Sequence, residues 1–276
     1  MRISDGYYKH HKEKKMKLKA KYLKNRRDAI NSILEKPKRL YATATFHKLR
    51  VEIKKLNAFF DLIKFCSKDF KQKKTFKPFK LIFNHAGKVR ELQVEEAMLK
   101  KYFRNNALPG YRNTLQKLQL KEKNDYFSVV NKKLESKLKK RYTEIALFVA
   151  LLDEKKINNY MQKKQNKIEK LLSQESLRTP QVHALRKQLK KFNYNRRSLN
   201  LENQKKSLIN KDVLQDLLGN WHDCQVVIQH LKKSMSAIGI NQQDLIQSET
   251  IKTNISSACQ ELFNKINVAI NTSNFS

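Results

Sequence analysis

The sequence predicts an all-α protein built from two similar halves, and three observations support this expectation. The chain of 276 residues contains only five glycines and four prolines, which is few for a fold with many turns. No segment alternates apolar and polar residues over the length of a strand, so no sheet is expected. One basic stretch is written twice, and such an internal repeat indicates a duplicated structural unit.

Helix boundaries follow from capping residues and from proline. Thr43 or Thr45 can cap the helix that carries the first copy of the repeat, and Thr179 followed by Pro180 starts the helix of the second copy. Pro78 is expected in the first turn of another helix. The other expected helices lie over about 11–35, 78–104, 111–121, 125–173, 208–234 and 241–271. Connections are expected at about 68–77, 105–110, 173–179 and around residue 239.

The repeated stretch reads FHKLRVEIKKLNAFF from residue 46 and VHALRKQLKKFNYN from residue 182. Aligning His47 with His183 also matches Leu49 with Leu185, Arg50 with Arg186, Lys54 with Lys190, Lys55 with Lys191 and Asn57 with Asn193. A turn of about 100° per residue places the His, Arg and first Lys within an arc of roughly 60°, with the second Lys at its edge. The opposite side is apolar and consists of Leu49, Ile53, Leu56 and Phe60 in the first copy and Leu185, Leu189 and Phe192 in the second. Each helix should therefore bury one side and present basic groups on the other.

A second match follows the first in the same order along the chain. The segment GKVRELQV at 87–94 pairs with GNWHDCQV at 219–226, and both contain Gly, a basic or imidazole residue, an acid, Gln and Val. Together the two motifs resemble the CHAD domains, an all-helical family marked by a duplicated His-x-x-Arg helix with further basic residues. The resemblance covers nearly the whole chain. The sequence departs from the family pattern at Asn57 and Asn193, where Arg is common, and at His222, where Arg is usual, which reduces the expected phosphate affinity there.

The CHAD resemblance implies one domain over 1–276, with four-helix-bundle repeats at 1–125 and 126–276 related by a pseudo-twofold axis. It also implies a basic groove or pore that binds inorganic polyphosphate without catalysis. The residues expected to contact the ligand are His47, Arg50, Lys54, Lys55, Arg90, His183, Arg186, Lys187, Lys190, Lys191, Arg197 and His222. The histidines can either contact the ligand or be buried and orient their neighbours. The acids Glu91 and Asp223 are expected to brace the cations through ion pairs.

The charge of the chain independently favours a polyanionic partner. Sixty Lys and Arg residues against 25 Asp and Glu leave a net charge of +35, which concentrates polyanions around the protein. A solvated, lysine-rich surface is the alternative explanation. Nucleic acid would respond to the same charge, although readers of single strands usually add aromatic platforms, and the aromatics of the repeat lie on or beside its apolar side. We therefore expect polyphosphate as the partner, with weaker binding of other polyanions, nucleic acid included.

An enzyme, a metal site and a cofactor are not expected. The chain has no Gly-x-x-x-x-Gly-Lys loop and no Glu-x-Glu-x-Lys motif of the tunnel triphosphatases that are sometimes joined to CHAD domains. Glu95 and Glu96 are adjacent on a helix and are expected to be solvated. His47 and His183, the histidines of the repeated stretch, are called the signature histidines below, and the helices that carry them the signature helices. The basic neighbours of these histidines would repel a metal cation. An accessory subunit of a phosphate-processing enzyme is the third functional alternative.

The expected location is the cytoplasm, with polyphosphate granules as a place of accumulation. Cys66, Cys224 and Cys259 are isolated in sequence, which fits core thiols in a reducing compartment. No secretory signal pattern follows the basic N-terminus. The longest apolar run, 145–152, is too short to cross a bilayer, so no membrane association is expected.

Overall fold

The computed structural model describes residues 3–102, 108–199, 211–237 and 242–274. Within these ranges the chain forms nine α-helices and a 3-10 helix at Lys38–Leu40, and no strand occurs in them, which confirms the all-α class. The helices are α1 Ile3–Leu34, α2 Thr43–Cys66, α3 Gln72–Tyr102, α4 Pro109–Val129, α5 Lys132–Ala150, α6 Glu154–Leu172, α7 Thr179–Ser198, α8 Lys211–Ala237 and α9 Gln242–Asn274. Residues 105–107 of the predicted loop at 105–110 and the predicted turn at residue 239 lie outside the described residues, while α4 already begins at Pro109.

The helices are grouped into two compact units. The first unit contains the described residues within Met1–Asn84, Phe127–Lys167 and Gln188–Lys206. The second contains those within His85–Tyr126, Ile168–Lys187 and Ser207–Ser276. The units therefore alternate along the chain and differ from the predicted repeats at 1–125 and 126–276. Those boundaries concern duplication of the sequence rather than packing, and they stay a prediction.

The core of the first unit forms around the apolar side of α2. Helix α1 packs against α2 and α5. The ring of Phe60 lies edge-on to three other phenylalanines, with centroid distances of 5.5 Å to Phe70, 6.1 Å to Phe76 and 5.9 Å to Phe79. This cluster also explains why α3 begins at Gln72, six residues before the predicted start. Burying Phe76 and Phe79 on the same rings extends the helix in the N-terminal direction, so Pro78 lies inside α3 and its predicted place in the first turn is wrong.

The core of the second unit includes the contact between α8 and α9. Trp221 of α8 is buried, and its ring centroid lies 6.1 Å from that of Phe263 on α9 and 4.6 Å from that of His183 on α7. Asn267 of α9 accepts a hydrogen bond of 2.8 Å from the backbone N–H of Leu177, which ties the start of α7 to α9. The only tryptophan of the chain thus joins three helices of this unit.

The expected long helix over 125–173 is divided into α4, α5 and α6. Asn131 caps α5, because its side chain accepts a hydrogen bond of 3.0 Å from the N–H of Leu134. Asp153 accepts a bond of 2.9 Å from the N–H of Lys156 at the start of α6. Both breaks occur without glycine or proline. At α2, in contrast, Ala42 occupies the cap position and no side chain caps the helix, so the cap predicted at Thr43 or Thr45 is wrong.

Candidate functional site

The first signature helix, α2, lies in the first unit and has the predicted two-sided character. Its apolar residues Leu49, Ile53, Leu56 and Phe60 are fully buried. On the other side His47 is exposed, while Arg50 and Lys54 are half-buried. The helical period therefore identified correctly which side of the repeat faces the core and which side offers basic groups.

Arg50 and Lys54 share one aromatic ring. The guanidinium carbon of Arg50 lies 4.2 Å from the ring centroid of Phe83, and Lys54 Nζ lies 5.8 Å from it. Arg50 Nη1 also donates a hydrogen bond of 2.9 Å to the backbone oxygen of Phe83. A ring face and a carbonyl are neutral partners, so these contacts orient the two cations without cancelling their charge. The arrangement provides a fixed guanidinium fork beside a more mobile ammonium group.

In each copy of the repeat, the lysine eight residues after the signature histidine has an acidic partner. Lys55 donates to Glu52, with 2.8 Å between Nζ and Oε1, and Glu52 is buried and also pairs with Arg26 of α1. Lys191 donates to Asp61 of α2, with 2.7 Å between Nζ and Oδ2. Neither ion pair was predicted from the sequence. The spacing of Glu52 three residues before Lys55 was the available signal.

The second signature helix, α7, contributes to both units. Its apolar residues Leu185, Leu189 and Phe192 are buried as predicted. His183, Arg186 and Lys187 belong to the second unit, whereas Lys190, Lys191 and Arg197 belong to the first. Among these, Lys187 and Arg197 are exposed and the others are half-buried.

His183 is half-buried in an environment that disfavours its charged form. Its ring packs against Trp221, and its centroid lies 5.7 Å from that of His222. Burial lowers the pKa of His183, and the nearby charges of Lys187 and Arg186 lower it further. His183 and His222, which come from the two separate motifs, are thus neighbours. Since neither His47 nor His183 is fully buried, both can reach solvent or a ligand.

Arg90 lies on a second feature of this unit, a cavity of about 330 Å³. The charged side chains in its wall include Arg90, Lys101, Asp223, Glu261 and Lys265. Asp223 lines the same cavity as Arg90, and its pairing with the cations stays a prediction. His222 is not part of this wall, so the cavity and the His183 environment are separate features of the second unit.

A network of acids and one histidine connects α3 to α4 and α8. His230 Nδ1 lies 3.1 Å from Glu95 Oε2, and its Nε2 lies 3.7 Å from Glu91 Oε2. The hydroxyl of Tyr111 donates to the other oxygen of Glu95. His230 was not predicted as a partner of Glu91, and the expected bracing of the site cations by Glu91 stays a prediction. The predicted solvation of Glu95 is wrong, because this side chain is buried, while Glu96 is half-exposed.

Three lysines of α6 were missed by the sequence argument. Lys163 Nζ lies 5.3 Å from the ring centroid of Phe65, and Lys164 Nζ lies 5.3 Å from that of Tyr160. Lys164 is half-buried, and its pKa is lowered by burial first and then by the charges of Lys191 and Lys167. Their spacing at positions 163, 164 and 167 places them on neighbouring faces of one helix, but nothing in the sequence links them to α7.

A sequence profile of the CHAD domain matches residues 24–232, which is more than half of the chain and includes both signature helices and both downstream segments. The chain belongs to the CHAD family. The CHAD protein is also similar to a solved structure, described as the crystal structure of the CHAD domain from the plant Ricinus communis. The two chains are 14% identical, with a TM-score of 0.71, and the similarity covers 93% of this chain and 91% of the plant chain. At that identity the likeness concerns the fold. The comparison with curated proteins gave no match.

The described ranges of the CHAD protein contain neither a membrane-spanning helix nor a cluster of metal-ligand side chains. None of its described helices is long and apolar enough to cross a membrane. Among the residues whose placement is given, no group of three or more His, Cys, Asp or Glu side chains is arranged to hold a metal ion. All three cysteines are buried, and burial raises the pKa of Cys66 and Cys224 to about 11.

Proposed function

We propose that this CHAD protein binds inorganic polyphosphate and does not catalyse its turnover. The observation that carries the proposal is the arrangement of Arg50 and Lys54 on the ring of Phe83, which places the two cations side by side. Polyphosphate has one negative charge per phosphate and neither bases nor sugars, so affinity for it must come from charge and from hydrogen bonds to oxygen. A guanidinium fork beside a mobile ammonium supplies both.

The second signature helix supplies the matching set in this proposal. Arg186 and Lys190 stand at the positions that correspond to Arg50 and Lys54 in the duplicated pattern. His183 would donate a hydrogen bond to a phosphate oxygen, and the anion would favour the charged imidazolium that burial and nearby cations now disfavour. We further propose that the duplication produced two four-helix-bundle repeats and that both signature helices serve the same ligand.

The remaining predicted site residues have subordinate roles in this proposal. Lys55 and Lys191 have carboxylate partners, so they contribute after those ion pairs rearrange. His47, Arg90, Lys187, Arg197 and His222 add positive charge or hydrogen-bond donors around the primary contacts. The protein would act in the cytoplasm, at polyphosphate granules, and would bind other polyanions such as nucleic acid more weakly.

The test compares two variants that lose the same charge. In the signature variant Arg50, Lys54, Arg186 and Lys190 are changed to Gln, which removes each charge and leaves an unbranched polar side chain. In the control, four exposed lysines of α4 and α5 are changed to Gln: Lys117, Lys121, Lys133 and Lys137. Binding of long-chain polyphosphate is measured over a range of salt concentrations, together with melting temperatures to confirm folding.

The signature variant should bind much more weakly than the control. Its slope of log K against log salt should also be smaller by about three, since four lost contacts contribute roughly 0.7 each for a single-stranded polyanion. Equal affinities of the two variants would show that net charge, rather than the signature faces, drives binding.

A further inference from the structure

A second group of cations in the first unit lies outside the signature pattern. Lys164 and Lys167 come from α6 and Lys191 comes from α7, while Asp61 of α2 faces them. Lys164 is half-buried, and its ammonium group is close enough to Lys191, Lys167 and Asp61 for their charges to affect it. Lys191 contacts Asp61 directly, Lys164 lies within electrostatic range of both, and Lys167 follows Lys164 after one turn of α6.

Lys164 is fixed on a rigid support. Its Nζ lies 5.3 Å from the ring centroid of Tyr160, which is buried. The hydroxyl of Tyr160 accepts a hydrogen bond of 3.0 Å from Asn195 Nδ2, and the same nitrogen donates a bond of 3.0 Å to the backbone oxygen of Ala58. Asn195 is completely buried, so the ring that carries the ammonium group is held between α2 and α7. The position of this cation is therefore set by the core rather than by solvent.

The single carboxylate does not balance the cluster. Asp61 Oδ2 accepts from Lys191 at 2.7 Å, and Asp61 Oδ1 accepts from Gln72 Nε2 at 2.5 Å. Three ammonium groups and one carboxylate leave two positive charges in this cluster, in which Lys164 is half-buried and Lys167 is exposed. Like charges at such a place destabilise the folded protein unless an anion compensates them. Lys164 and Lys167 in particular have no share in the two hydrogen bonds that Asp61 accepts.

We propose that Lys164, Lys167 and Lys191 form a subsite for phosphoryl groups, in which Asp61 is the resident carboxylate that an entering phosphate replaces. This proposal rests on the proposed function, and it adds a further part of the protein surface that the phosphate chain contacts. Asp61 sets the ligand selectivity of the subsite. A ligand must carry more negative charge than one carboxylate in order to displace Asp61 from Lys191. Highly charged phosphate chains meet this condition better than monoanions do.

The experiment measures the labelling rate of individual lysines with an amine-reactive reagent and mass spectrometry. Inorganic tripolyphosphate is the probe, at about 150 mM salt, where weak surface attraction is screened. Lys164, Lys167 and Lys191 should be labelled several-fold more slowly when the probe is present. Lys155, an exposed lysine of the same helix, is the internal control and should be labelled at the same rate. Equal protection of Lys155 and Lys164, or no protection of Lys164, would overturn the proposal.

Two variants separate the subsite from a structural role. Asp61→Asn removes the resident carboxylate and should strengthen tripolyphosphate binding by about two- to fivefold, the range for loss of one partly exposed competing ion pair. Lys164→Met keeps the packing on Tyr160 and should weaken binding without lowering the melting temperature. Weaker binding by Asp61→Asn, or unchanged binding by Lys164→Met, contradicts the proposal. Because labelling uses a short probe at single lysines, its result is distinguishable from a failure of the signature variant to affect long-chain binding.

Discussion

Replacing His230 by Gln should remove a pH-dependent part of the folding free energy. The carboxylates of Glu91 and Glu95 raise the pKa of His230 from 6.5 to about 9, against the opposing effect of burial. At about 1.4 kcal/mol per pH unit this rise corresponds to about 3 kcal/mol. The side chain is 27% exposed, so solvent screening should reduce the observed value to about 2 kcal/mol.

The sign follows from the direction of the pKa change. The folded protein holds the His230 proton more tightly than the unfolded chain does, so folding gains stability where both states can be protonated. This contribution is fully present below about pH 6.5, declines as the pH rises, and is lost above about pH 9. The window is set by those two pKa values.

The assay is urea unfolding of the wild type and of His230→Gln at pH 6.0, 7.5 and 9.5, followed by fluorescence of Trp221 and by circular dichroism. The difference in unfolding free energy between the two proteins should be about 2 kcal/mol larger at pH 6.0 than at pH 9.5. His47→Gln removes an exposed histidine and is the control. A difference that is the same at all three pH values would refute the assigned network.

Two further predictions concern stability and the state of His183. Glu52→Gln should destabilise the protein by about 3 kcal/mol in urea unfolding, because the largely buried guanidinium of Arg26 loses its carboxylate partner. Glu249→Gln, which breaks an exposed pair with Lys252, should cost little, and equal losses in the two variants would contradict this account. Trp221 fluorescence should change with pH at a midpoint below 6.5, since burial and nearby cations lower the pKa of His183, and tripolyphosphate should raise this midpoint. His183→Gln should abolish the transition, and a midpoint above 6.5 without ligand would exclude the inferred environment.

The sequence was informative where structure depends on neighbours along the chain. The helical period of the repeat predicted the buried residues of α2 and α7, because residues three and four apart share a face. The scarcity of glycine and proline predicted helices. It did not indicate the breaks at Asn131 and Asp153, where a side chain caps the next helix and neither glycine nor proline is present. The helix start predicted at Pro78 was wrong, because packing of the phenylalanine rings outweighed the preference of proline for a first turn.

Contacts between distant parts of the chain were beyond the sequence argument. The pattern placed Arg50 and Lys54 on one face, but Phe83 supports them from another helix. Lys191 pairs with Asp61 across 130 positions, and no local spacing indicates this. Charge patterns identify which side chains are cationic, whereas tertiary packing decides which partners each of them contacts.

Competition between two polyanions tests the central claim most directly. Labelled long-chain polyphosphate bound to the wild-type protein is challenged with single-stranded RNA at equal total charge and about 150 mM salt, where weak surface attraction is screened. If the signature side chains select phosphate chains, RNA should displace little of the label, while unlabelled polyphosphate should displace it fully. Displacement by RNA that matches polyphosphate charge for charge would contradict the account and identify the protein as a general polyanion binder.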